Sequence, residues 1–273
     1  AQAIAAQVGG LTPQQVTIHP LLAGGSFGRR ANPTADYIAE AVTIARATRE
    51  LDAPIRLMWT RKDDIKGGYY RPLFVHRLAA TLANDGKPLV WLQRIVGQSI
   101  LTGTSFAVTM RDGIDPTSVE GAINLPYAVP NLRVELHSPT LPVPVLWWRS
   151  VGHTHTAFAT EVFIDELAFA AGQDPYEYRR ALLTEQPRLK AVLDLAAHKA
   201  DWGTPLPNGR GRGIALQESF NSFVAQVAEV TVQPDGGFRV DRVVCAVDCG
   251  VAVNPNVIEA QMEGGIGFGL AAA

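Results

Sequence analysis

The sequence predicts an α/β (α+β) chain of mixed sheets with flanking helices, and three observations lead to that class. A strand-like run at 16–20 enters the glycine-rich loop Gly24-Gly25-Ser26-Phe27-Gly28, which is followed by a helical pattern and a second apolar strand at 54–59. Apolar β-type segments flank the turn Asn84-Asp85-Gly86-Lys87, as in a hairpin. Past residue 205 helical periodicity gives way to β-rich sequence.

In chain order, residues 1–8 read as the end of a helix closed by Gly9-Gly10, and Thr12-Pro13 leads into strand 16–20. Asn32-Pro33 supplies an N-cap and a first-turn proline, after which Ile38, Ala41, Val42, Ala45 and Leu51 recur at helical spacing until Asp52-Ala53-Pro54. Strand 54–59 completes a βαβ-like unit with the glycine loop at a strand's carboxyl end, the edge where α/β sheets take ligands. Segments 74–83 and 88–98 form the hairpin, 100–130 reads as loops, and 131–138 and 143–149 read as strands. A helix is expected over 157–171, closed by Gly172, a second is capped by Asp174-Pro175, and a third runs over 188–199 to Trp202-Gly203.

Thr204-Pro205-Leu206-Pro207-Asn208-Gly209 reads as a linker. It divides the chain into an α/β subdomain, 1–205, and a β-rich segment with a closing helix, 206–273. The latter holds strands 211–220, 223–233 and 238–248, then a helix started by Asn254-Pro255 that carries Gln261 and Glu263 before a glycine-rich run.

With 273 residues, 47% of them hydrophobic, the chain can bury substantial cores. A net charge of −2 gives no footprint for nucleic acid, so any ligand must be recognised locally. No apolar run of membrane-spanning length and no signal peptide can be read. Cys245 and Cys249 are about 13 Å apart on an extended strand, too far for a disulfide. The chain opens on helix-like residues and stops inside an apolar segment, which predicts an internal piece of something longer.

Three clusters can carry chemistry. The first, Gly24 to Gly28, fits neither the dinucleotide fingerprint nor a P-loop. Its glycines let backbone N–H groups approach a ligand, and Arg29-Arg30 add positive charge nearby; the bland alternative is a tight strand-to-helix connection with two solvated arginines. The second, Trp147-Trp148-Arg149-Ser150-Val151-Gly152-His153-Thr154-His155, suits a desolvated pocket holding an anion. His153 and His155 lack a third ligand, so capping and hydrogen bonding are favoured over a metal site. Ser150 and Ser219 could serve as nucleophiles beside a histidine, yet neither sits in a Gly-x-Ser-x-Gly elbow. The third cluster runs from Val247 to Pro255 and on to Gln261-Met262-Glu263-Gly264-Gly265; Gln261 could reach a polar ligand, while the bland reading is strand, turn and capped helix.

Together with Trp59-Thr60-Arg61-Lys62-Asp63-Asp64 and Glu161-Val162-Phe163-Ile164-Asp165-Glu166-Leu167, the clusters resemble the molybdopterin-binding large subunit of the xanthine dehydrogenase and aldehyde oxidase family. The nearest likeness is to its bacterial isoquinoline-oxidoreductase branch. The resemblance covers nearly the whole chain and implies a molybdopterin-binding-domain-like fold. It implies cofactor-binding roles for Gly24, Gly25, Ser26, Phe27 and Gly28, for Arg149 and Gly152, and for Gln261 and Gly264. Asp248, Gly250, Asn254, Pro255 and Glu263 match the same pterin-side segment.

The implied cofactor is molybdopterin cytosine dinucleotide with molybdenum, held by amides and hydrogen bonds rather than by protein metal ligands. The implied reaction oxidises a small-molecule N-heterocycle or aldehyde with oxygen from water and passes electrons to a separate iron–sulfur subunit. The family's catalytic glutamate, in a Gly-x-x-Glu context, has no match here, and neither do a glutamine expected before the glycine loop and a Gly-Gln-Gly segment. The catalytic residue is therefore unassigned, and a non-catalytic scaffold without cofactor, or a serine–histidine hydrolase, stand as alternatives.

Overall fold

A computed structural model describes residues 1–273. The α+β class holds: helices and two small sheets alternate along the chain. The helices are α1 (Gln2–Gly9), α2 (Asp36–Ala47), α3 (Arg61–Lys66), α4 (His153–Ala170), α5 (Pro175–Leu182), α6 (Pro187–Lys199) and α7 (Pro255–Leu270). Strands β1 (Phe74–Leu82), β2 (Pro88–Gly97) and β3 (Asn131–His137) form one sheet in that order, and β4 (Arg210–Ser219), β5 (Ser222–Val232) and β6 (Phe238–Asp248) form the other.

Residues 1–75, 95–118 and 136–151 form one compact unit, and 76–94, 119–135 and 152–273 form a second. The main apolar core belongs to the second unit. There Ile164 and Leu167 of α4, Tyr178 and Leu182 of α5 and Leu193 of α6 are buried with Trp91, Ile214 and Val227. The β4–β5–β6 meander is antiparallel throughout and runs from Arg210↔Thr231 to Ser219↔Ser222, then from Phe223↔Asp248 to Val232↔Phe238.

Local chemistry explains most element boundaries. Gly10 ends α1 in the left-handed region at φ 69° and returns its N–H to the helix. Asp174 Oδ1 caps α5 by accepting the N–H groups of Tyr176 and Glu177 at 2.9 and 3.0 Å. Asn254 caps α7 through Val257 N at 3.2 Å, and both 245 and 249 are free cysteines.

Several expectations are corrected. Segments 16–20, 54–59 and 143–149 are not strands; the only ladder element among them is a single parallel bridge, Tyr70↔Val145. An apolar extended run becomes a strand only when its N–H and C=O groups meet a partner, and periodicity does not say whether one is available. Asn32-Pro33 does not cap α2. Asn32 Oδ1 instead accepts from Thr34 N and Oγ1 at 2.8 and 2.7 Å, an Asx turn, and α2 starts after Ala35 at φ 46°. Helix α4 begins four residues before the predicted 157, which places His153 and His155 in its first turn rather than in a loop. The C-terminal glycines do not end α7 but lie inside it. No helix is long and apolar enough to cross a membrane.

Candidate functional site

In the first unit the glycine loop docks against the Trp147–Arg149 segment. Gly28 has φ 90°, and a Cβ there would overlap the carbonyl group of Trp147, whose carbon would lie only 2.6 Å away. Only a residue without a side chain permits that approach. Phe27, at φ 50°, sets its ring under the guanidinium of Arg149, 5.6 Å from centroid to Cζ. Gly25 has φ 145° and faces the edge of the same ring, whereas a Cβ on Gly24 would meet nothing within 4 Å. The loop backbone at 24–26 is exposed, so one face is open for an approaching ligand.

Backbone strain lies on both sides of this contact. Ser150 and Val151 follow Arg149 at φ 65° and 49°, and a β-branched residue in the left-handed region is a true outlier. Such geometry costs on the order of 1–3 kcal/mol per residue and clusters at ligand clamps. Trp147 and Trp148 are braced in turn, by the edge of Phe106 at 5.8 Å and by the Arg71 guanidinium at 4.9 Å.

Arg29 corrects one expectation. Its charge is not offered to a ligand, because the guanidinium grips Asp36 at 3.2 and 2.7 Å and lies over Trp59 and Tyr69 at 5.7 and 5.5 Å. The bond to Asp36 holds Arg29 firmly in its charged form. Its own N–H closes the loop turn on Ser26 O at 2.9 Å. Arg29 thus ties the loop to the first turn of α2, while Arg30 stays exposed. Sequence pattern assigns no bracing role to Asp36, Trp59, Tyr69 or Arg71; an acidic residue opening a helix seven positions after the arginine is the one signal it offers.

Gly152, Gln261 and Gly264 belong to the second unit. Gly152 precedes α4 and donates its N–H to Glu120 Oε1 at 2.5 Å, so this amide already has an acceptor within the chain. Gln261 and Gly264 lie on α7, a helix with no buried residue. Asp248 ends β6 and grips Arg188 at 2.7 and 2.6 Å, while also accepting Gly250 N at 3.0 Å. Arg188 stacks on Phe223 at 4.1 Å.

The hydrogen bonds from Arg188 and Gly250 hold the Asp248 carboxyl down to about 2. Its folded value lies below the unfolded one, so the pair contributes stability that is present above pH ~4 and lost as pH falls through the folded value. A carbon-detected titration is expected to place the Asp248 midpoint at about 2 and to move it toward ~3.9 in Arg188→Gln. An unmoved midpoint would contradict the pairing.

The serine–histidine arrangement is not assembled: Ser219 Oγ is buried without a hydrogen-bond partner, and His153 Nδ1 faces Gln217 Nε2 at 2.7 Å. No group of three or more His, Cys, Asp or Glu side chains could hold a metal ion. A cofactor at the loop would be held by backbone amides, arginine and aromatic faces, and the open side of Gly24 fits an organic group carrying its own metal.

Comparisons with known proteins follow the same lines. Two family models, each described as a molybdopterin cofactor-binding domain, match residues 1–183 and 157–273. The beta subunit of isoquinoline 1-oxidoreductase from Brevundimonas diminuta is 32% identical over 100% of this chain and 35% of its own length. A subunit of nicotinate dehydrogenase from Pseudomonas putida is 30% identical over 92% of this chain and 23% of its own length. The chain therefore spans only about a quarter to a third of these relatives. Among solved structures, quinoline 2-oxidoreductase from Pseudomonas putida 86 superposes with a TM-score of 0.61 at 17% identity, covering 88% of this chain and 35% of that one, a likeness of fold.

Proposed function

Since the chain belongs to the molybdopterin cofactor-binding domain family, we propose that it is the part of a molybdenum hydroxylase large subunit that cradles the cofactor. Gly24, Gly25, Ser26, Phe27 and Gly28 form one wall with Arg149, and Gly152, Gln261 and Gly264 supply further contacts. The observation that carries this reading is the seating of Gly28 against the Trp147 carbonyl with Arg149 over Phe27. It brings together two segments more than a hundred residues apart in sequence and leaves the loop backbone open on one side.

The chemistry such a cofactor supplies is two-electron hydroxylation with oxygen drawn from water. In this reading the substrate is an N-heterocycle or an aldehyde, the cofactor is the cytosine dinucleotide form, and electrons leave through an iron–sulfur subunit. Relatives named for isoquinoline and nicotinate, and named as subunits, support the substrate class and the existence of partners. No Gly-x-x-Glu segment for the family's general base can be read in these residues, so the reading assigns a cofactor-binding role to this chain and no catalytic residue. The division into 1–205 and 206–273, at the Thr204–Gly209 linker, is part of the same reading.

The test is metal and pterin analysis of the protein purified from a host that makes the cofactor. Molybdenum bound in near-equal amount, with cytidine monophosphate released on acid hydrolysis, is expected. Absence of both molybdenum and pterin fluorescence would sink the cofactor reading and leave the scaffold alternative. A guanine nucleotide in place of cytidine would correct only the nucleotide.

A further inference from the structure

Trp91 and Gln93 of β2, His76 of β1 and His155 of α4 form a continuous hydrogen-bonded row inside the second unit. Trp91 and Gln93 are both 0% exposed. An indole N–H can only donate, so the 3.2 Å bond from Trp91 Nε1 makes Gln93 Oε1 the acceptor and turns the amide NH2 toward His76. Gln93 Nε2 lies 3.1 Å from His76 Nδ1, which must accept and so carries no proton. The His76 proton is then on Nε2, 2.9 Å from His155 Nδ1. That nitrogen accepts in turn, and the His155 proton sits on Nε2. Because the first residue has no acceptor, each link has only one allowed direction.

We propose that this one-way chain positions the first turn of α4, and that His76 and His155 are positioning residues for the segment containing Gly152. Its relevance to a ligand rests on the cofactor reading given above. The N–H groups of His155 and Thr156 both point to Gly152 O at 3.1 Å, so fixing His155 fixes the turn that Gly152 opens.

The row tolerates only neutral rings. A second proton on His76 would confront the Gln93 amide, and one on His155 Nδ1 would confront His76 Nε2–H. Burial, with no charged neighbour contributing, holds His76 down to about 4. His153, two residues before His155 on α4, is lowered by burial against the opposing pull of Glu218 on β4, and the Glu120 carboxylate takes the Gly152 N–H. Arg77 and Arg94 alternate to the other side of their strands, and Arg94 is paired with Glu135.

Long-range nitrogen–proton spectra of the chain labelled at histidine are expected to show both rings as Nε2–H tautomers, unchanged from about pH 8 to about pH 5.5. An Nδ1–H tautomer at either ring, or a midpoint near the ordinary value of ~6.5, would overturn the proposal. Gln93→Glu replaces the donor facing His76 with an acceptor and should raise the proton affinity of His76 about tenfold or more; titration as in the parent would count against the chain. His76→Phe keeps an aromatic ring but removes both ring nitrogens, and should speed hydrogen exchange at the His155 and Thr156 amides about tenfold relative to Leu193 of α6. Unchanged exchange there would refute positioning. None of these readouts uses the cofactor, so a failure to load molybdenum would count against the cofactor reading alone.

Discussion

Arg179→Met is expected to destabilise the protein by roughly 3–5 kcal/mol, the range for removing one partner of a buried ion pair. Arg179 has 0% side-chain exposure and bonds Glu161 through Nε at 3.0 Å, Asp165 through Nη1 at 2.5 Å and the Glu161 carbonyl through Nη2 at 2.9 Å. Glu161, 8% exposed at its side chain, also accepts Tyr127 Oη at 2.7 Å and Leu216 N at 2.9 Å. One guanidinium and one carboxylate thereby join α4, α5, β4 and the loop before β3.

The pH dependence of that loss gives a second signature. Burial pushes the Glu161 carboxyl up, against the pull of Arg179, Tyr127 and Leu216. Without Arg179 the folded value rises further, so the variant binds its proton more tightly when folded than when unfolded. The part of its deficit that comes from the Glu161 charge should then shrink as pH falls through the variant's raised folded value. Glu161→Gln combined with Arg179→Met keeps an acceptor for the Leu216 N–H and turns the amide NH2 toward the Tyr127 hydroxyl, which can accept, and should recover more than half of the loss. Denaturant melts at two pH values check this, and a deficit independent of pH would contradict it.

Gly28→Ala is expected to cost cofactor occupancy where Gly24→Ala does not. At Gly28 the added Cβ meets the Trp147 backbone and the φ of 90° is unfavourable for alanine; at Gly24 it meets nothing within 4 Å. Strain of this kind is about 1–3 kcal/mol, and ~1.4 kcal/mol of it falling on the ligand-ready loop lowers affinity about tenfold. Molybdenum content and thermal midpoints of both variants decide the matter. Equal occupancy in the two would remove the loop from the cofactor wall.

Much was legible in the sequence because it depends on near neighbours. Gly10, Gly172, the Asp174-Pro175 cap, the Asn84–Lys87 turn and the β4–β5–β6 meander all follow from residues a few positions apart. The glycine loop and the Trp148-Arg149 segment are each visible as chemistry-bearing clusters, and only the family resemblance assigns both to one site. The strands expected at 16–20 and 54–59 failed for the complementary reason, since a ladder needs a partner that local pattern does not specify.

The sequence by itself determined the α+β class, the caps and turns, and the family resemblance, since these are written in local propensity and in motif order. Tertiary structure alone decided where side chains meet. Arg29 closes on Asp36 between Trp59 and Tyr69 instead of serving a ligand, Arg149 lies over Phe27, and the Gly152 N–H is taken by Glu120. The physical reason is that charge pairing, stacking and a backbone approach too close for a Cβ act through space over distances of a few ångströms, and chain separation carries no record of them.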